Sequence, residues 1–95
     1  MAAFFLTTKL KIMLPEVRNA LSEALLKKMS ETGYNWHSIQ GVKLRDVWNG
    51  CPAEHTTLYK MYKYDNYTMH KNKVKKLLEF FNIGYVENYG IITLK

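Results

Sequence analysis

The chain has little that could hold a fold together covalently or carry it out of water. Its 95 residues include one cysteine, Cys51, and two prolines, Pro15 and Pro52. A lone cysteine cannot close an intrachain disulfide, and a small domain without one fits a reducing compartment. The expectation is therefore the cytoplasm, or the nucleus if the source is eukaryotic. No apolar run approaches the roughly 20 residues of a membrane-spanning helix. The run at the start, Ala2 to Leu6, is interrupted by Thr7, Thr8 and Lys9. With no basic leader and no small-residue cleavage site, neither a signal peptide nor a membrane partner is expected.

Signs of catalysis are equally sparse. Cys51 and His55 stand four apart with His70 further on, but a zinc site wants more thiolate or imidazole ligands in paired spacing. A Cys-His nucleophile also lacks a third, orienting group. Gly33, Gly41, Gly50, Gly84 and Gly90 are scattered as turn residues and form no phosphate-cradling loop. His37 reads as structural, and His70 as a residue that caps, packs or reaches a phosphate. The expectation is a chain that is no enzyme and needs no cofactor or metal.

Acidic residues are scarcest where basic ones crowd. The net charge is +6, but residues 1–59 contribute +2 and residues 77–95 contribute −1. Residues 60–76 hold six lysines against Asp65 alone. So local an excess favours a polyanionic partner, either a phosphate backbone or an acidic protein face.

Nearly half the residues are hydrophobic, at 47%, enough for one domain over residues 1–95 with one modest core. Period-two alternation predicts a strand over residues 6–13, with a helical extension of the next element as the alternative. Pro15 suits a first helical position. Val17, Ala20, Leu21, Ala24, Leu25 and Met29 then form one helical stripe that Gly33 ends. Residues 34–53 follow no single period. Lys43 to Trp48 reads as a short helix, and Gly50-Cys51-Pro52 as a break.

A second stripe from Ala53 to Tyr64 carries Leu58, Met61 and Tyr62. Asp65-Asn66-Tyr67 makes a turn, and the Thr68 hydroxyl is a candidate cap for a helix starting near Met69. Val74, Leu77, Leu78 and Phe81 recur at i, i+3, i+4 and i+7. That helix is expected to end near Asn82, with Gly84 as the stop. Tyr85-Val86 and Ile91 to Leu94 read as a hairpin around Glu87-Asn88-Tyr89-Gly90, closed by a type I turn with a bulge. The fold class expected is α+β.

The series of helix, turn, basic helix and hairpin resembles a winged helix-turn-helix domain. The residues behind the resemblance are Thr57 to Tyr62, Asp65 to Thr68, His70 to Leu78 and Asn82 to Val86. It covers the C-terminal half, and the long N-terminal strand and helix are no required part of that family. The resemblance implies a second helix that enters the DNA major groove and a hairpin that touches the backbone. Glu87 in this hairpin, against Lys95 alone, is an unusual choice for gripping phosphate.

With Val74, Leu77, Leu78 and Phe81 turned inward, Asn72, Lys75 and Lys76 point outward and Lys71 and Lys73 flank them. Lysines in the first turns oppose the helix dipole, a placement that an anionic partner would offset. Asn72 can bond an adenine edge bidentately. The expected nucleic-acid contacts are Lys60, Lys63, Tyr67, Thr68, His70, Lys71, Asn72, Lys73, Lys75 and Lys76. A lysine-rich helix face that is simply solvated is the plainer alternative.

The leading expectation is a small duplex-DNA-binding transcriptional regulator. Its main rival is a protein-interaction module, such as a small viral or mobile-element factor that inhibits a host protein; the apolar start Phe4-Phe5-Leu6 and the acidic wing favour it. A third reading is RNA or single-strand binding through Tyr59, Tyr62, Tyr64 and Tyr67, which alternate with Lys60 and Lys63. Tyr62 is better explained by core packing. A homodimer paired through Phe4 to Leu10 fits the small size of the module.

Overall fold

The computed structural model describes residues 13–64 and 66–95. Pro15 opens helix α1 (Pro15–Thr32) at a position where its missing N–H is no loss, with Glu16 in the first turn. Val17, Leu21, Leu25 and Met29 are buried at a spacing of four, and Ala20 and Ala24 flank them half-buried. Gly33 ends the helix at φ 78°. The Tyr34 N–H reaches the Met29 carbonyl at 3.0 Å and the Gly33 N–H reaches that of Ser30 at 3.4 Å. This closure satisfies carbonyls that the helix itself leaves open.

Residues 34–54 lack a period because they are turns strung between inward anchors. Ile39, Leu44 and Trp48 are buried. Asn35 and Ser38 close one turn reciprocally: each side-chain oxygen accepts the other's backbone N–H at 2.8 Å. Helix α2 (Leu44–Val47) falls inside the expected Lys43–Trp48 segment. Ala53 is buried ahead of helix α3 (His55–Lys63), which starts two residues later than the sequence pattern predicts. Leu58 and Met61 are its buried positions.

Helix α4 (Lys71–Phe80) differs from expectation at both ends. Thr68 is not its cap. His70, extended at φ −60° and ψ 143°, accepts the Asn72 N–H on Nδ1 at 3.1 Å. Met69 is drawn into the core instead of starting the helix. Nor is Gly84 the stop: the left-handed residue is Asn82, at φ 59°. The Ile83 N–H bonds the Leu78 carbonyl at 2.8 Å and the Asn82 N–H bonds that of Glu79 at 3.1 Å. Asparagine tolerates this conformation almost as glycine does, and Ile83 then packs back against the core.

The chain closes with strands β1 (Tyr85–Asn88) and β2 (Ile91–Leu94), antiparallel, with Tyr85 opposite Leu94 and Asn88 opposite Ile91. Tyr89 and Gly90 connect them, both at positive φ (54° and 78°). That is a two-residue type I′ turn and not the bulged type I turn expected; its twist matches the strands. Tyrosine is a poor left-handed residue, and the Tyr89 side chain is 101% exposed. Tyr89→Asn is therefore expected to raise stability by about 0.5–1 kcal/mol in urea unfolding. A loss would show that the exposed ring stabilises the hairpin.

The protein is a small α+β domain of four helices and a C-terminal hairpin among its described residues. Helix α1 packs against both β2 and α3. The strand expected at residues 6–13 lies outside the described residues except for Met13, which is buried in irregular structure. The dimer contact expected at Phe4 to Leu10 lies outside them as well. Among the described residues no helix is long and apolar enough to cross a membrane.

Candidate nucleic-acid interface

The apolar stripe of α4 fixes which of its lysines meet water. Val74, Leu77 and Leu78 are buried, and Phe81 is half-buried against the core. Asn72 and Lys76, one turn apart on the opposite side, are exposed as expected. The other lysines are engaged inside the protein. Lys73 Nζ donates to the Pro52 carbonyl at 2.7 Å and ties α4 to the loop ahead of α3. Lys71 and Lys75 share the side that faces the hairpin, where Lys75, expected to point outward, is half-buried.

The residue that holds them is Glu87. Directly opposed residues in an antiparallel pair project to the same sheet face. Glu87 opposes Ile92, which is buried in the core, so Glu87 points toward the helices along with Tyr85, two positions earlier. Its Oε1 accepts from Lys75 Nζ at 2.9 Å and its Oε2 lies 3.2 Å from Lys71 Nζ. The Lys75 hydrogen bond, then that of Lys71, hold the Glu87 carboxyl below its usual range. One turn further along α4, Glu79 Oε2 accepts the Tyr85 hydroxyl at 2.6 Å. That bond, ahead of desolvation and the charges of Glu79 and Glu87, raises the tyrosine pKa. The acidic hairpin is thus part of the basic site. The two ion pairs are partly exposed, with side-chain accessibilities of 37% and 28% for Lys71 and Lys75; pairs of this kind hold orientation more than they stabilise.

Of the other expected contacts, Lys60, Lys63, Thr68 and His70 are exposed, while Tyr67 is half-buried against the core. Among the described residues Lys60, Lys63 and Lys76 have no acidic partner. The Lys63 ammonium lies 5.5 Å from the Tyr59 ring centroid and 5.7 Å from that of Tyr64, itself 47% exposed. Tyr62 packs instead on Trp36, with centroids 5.2 Å apart. Trp36 also gathers Tyr59 and His55, whose Nε2 lies 3.1 Å from the Trp36 carbonyl.

A residue that the sequence pattern does not single out holds α3 in place. From α1, Arg18 Nε donates to the Met61 carbonyl at 3.1 Å and Nη2 to that of Tyr62 at 2.6 Å. These belong to the last turn of α3, where carbonyls have no helical donor.

The remaining chemistry-bearing residues converge on nothing comparable. Cys51 is buried, its S–H directed at the Ala53 carbonyl at 3.4 Å, and burial pushes its pKa up. His37, which reads as structural in the sequence, is exposed. A groove of about 750 Å³ beside Cys51 has Lys43, Arg45, Glu54 and His55 in its lining. Among the described residues no three His, Cys, Asp or Glu side chains come together. No protein-family model, no curated protein and no solved structure matches the chain.

Proposed function

We propose that this chain is a small nucleic-acid-binding protein, preferring duplex DNA and acting as a regulator through α4. The observation that carries this reading is a surplus of cations over Lys71 to Lys76 of α4. Two ammonium groups share one carboxylate, Lys76 has no acidic partner among the described residues, and the first turn of α4 holds no acidic residue. A helix tuned only for stability would place acids there. The order of helix, turn, basic helix and hairpin over residues 55–94 supports the winged helix-turn-helix resemblance. Asn72 and Lys76 are then the groove-facing pair, and Lys60, Lys63, Thr68 and His70 the phosphate contacts.

Titrating salt against binding to a duplex oligonucleotide tests this. Substituting Lys60, Lys63 and Lys76 together by glutamine should flatten the slope of log affinity against log salt by about 2 to 3. Undetectable duplex binding at low salt, or a slope that the substitutions leave unchanged, would sink the proposal. A preference for single strands would move the function to Tyr59 and Tyr64, beside Lys63.

A second reading, a protein-interaction module such as a viral or mobile-element inhibitor of a host protein, is favoured by the hairpin tip. Tyr89 is exposed there in a conformation unfavourable to tyrosine, and Val86, further down β1, is exposed as well. Residues held in costly backbone conformations recur at functional contacts.

A further inference from the structure

The geometry points to a phosphate-binding subsite formed by Lys71 and Lys75, which Glu87 occupies in the free protein. The inference rests on the nucleic-acid reading above and names the atoms that would take part. The Glu87 carboxylate bridges the lysines with one oxygen each, Oε1 at 2.9 Å from Lys75 and Oε2 at 3.2 Å from Lys71. A phosphodiester also presents two charged oxygens on one central atom. It can therefore make the same pair of charge-assisted contacts without moving either lysine. The internal ligand is replaceable. The Glu87 side chain is 26% exposed, so solvent and a competing anion reach it. It stands on a two-stranded hairpin joined by a two-residue turn, and hairpins of that size are only marginally stable by themselves.

Glu87 then has two effects on a bound polyanion. It competes for the lysines, and once displaced it leaves a negative charge close to the backbone. Both weaken binding, and both weaken it most where phosphate contacts dominate. Glu87 therefore sets the threshold below which non-specific backbone binding does not occur. Contacts that Lys71 and Lys75 do not make, such as those of Asn72, are unaffected.

The test compares the wild-type chain, Glu87→Gln, and Glu87→Gln combined with Lys71→Gln and Lys75→Gln. Duplex affinity is measured across salt, with unfolding curves recorded to show that each variant is folded. Glu87→Gln should bind duplex more tightly, with a salt slope steeper by about 1 to 2, so that its advantage shrinks by about 4- to 16-fold between ~50 and ~200 mM salt. The triple variant should lose that gain. Equal or weaker duplex binding by a folded Glu87→Gln, at an unchanged slope, would overturn the subsite and leave the duplex proposal standing.

Inorganic phosphate titrated against the lysine side-chain NMR signals separates the two claims. If no variant binds duplex, but phosphate shifts Lys71 and Lys75 at lower concentration in Glu87→Gln than in wild type, the subsite holds and the duplex reading fails. If phosphate shifts neither lysine in a folded Glu87→Gln, the subsite is refuted whatever the duplex result.

Discussion

Trp48→Ala is expected to remove about 3–5 kcal/mol from the stability of the domain. The side chain is 2% exposed and belongs to the central core. It joins the irregular segment to the end of α1. Its indole N–H donates to Thr32 Oγ1 at 3.2 Å, at the end of α1. Tyr34 meets its ring edge-on with centroids 6.4 Å apart, and Lys28 lies 5.8 Å from its centroid. Truncation would leave a large cavity between α1 and the irregular segment, whose turns cannot collapse into it without giving up the burial of Ile39 and Leu44. Domains of this kind carry about 5–15 kcal/mol in all, so the loss would be about a fifth of the total or more. With a urea m-value of about 1–3 kcal/mol/M, the midpoint should fall by about 2 M or the variant should not fold. Trp48→Phe keeps most of the packing and loses the hydrogen bond, and should cost about 1–2 kcal/mol. An alanine variant within 1 kcal/mol of wild type would mean that the segment is held by something other than this ring.

The same segment shows where the sequence is readable and where it is not. Helices α1, α3 and α4 follow from apolar spacing, because each buries one stripe and spacing of that kind survives any tertiary arrangement. Residues 34–54 bury single residues from successive turns, and a window of ten or more finds no period in them. Helix ends depended on side-chain chemistry that residue type leaves ambiguous. Thr68, His70 and Met69 stand next to one another before α4, and the choice of His70 as cap follows from the burial of Met69, a tertiary fact.

The hairpin had the larger consequence for the site. With a bulged type I turn, Glu87 belongs to the loop and its acidity counts against phosphate binding. The type I′ turn places Glu87 in β1 opposite Ile92 and therefore on the helix-facing side. The sequence contains the required parity, since Tyr85 and Glu87 alternate with Val86. What it lacks is the glycine or asparagine normally found at the first turn position, where Tyr89 stands instead. Lys60, Lys63, Thr68, Asn72 and Lys76 of the basic segment stay exposed as expected, and His70, expected to cap, pack or reach a phosphate, is exposed and caps α4. Lys71, Lys73 and Lys75 do not, because each of these long side chains finds an internal acceptor that is distant in sequence.

Arg18→Met is the second substitution expected to act strongly, at about 2–4 kcal/mol. Methionine can keep much of the aliphatic packing, so the change isolates the guanidinium. Two of its nitrogens donate to the Met61 and Tyr62 carbonyls, which are part-buried and lie in the last turn of a nine-residue helix. Removing the donor leaves both acceptors short of a partner. It also takes a cation away from the negative end of α3, where cations are favourable. Lysine at this position supplies the charge without the planar fork and should recover only part of the loss.

The effect should be local before it is global. Amide exchange in the second half of α3 should speed up more than in α1, which has its own buried stripe and a C-terminus closed at Gly33. Because α3 leads through the turn into α4, fraying at Lys60 to Lys63 would also loosen two of the proposed phosphate contacts. Duplex affinity should therefore drop at temperatures well below the unfolding transition. An Arg18→Met variant within 0.5 kcal/mol of wild type, with unchanged exchange in α3, would show that the end of α3 is held by its apolar face alone.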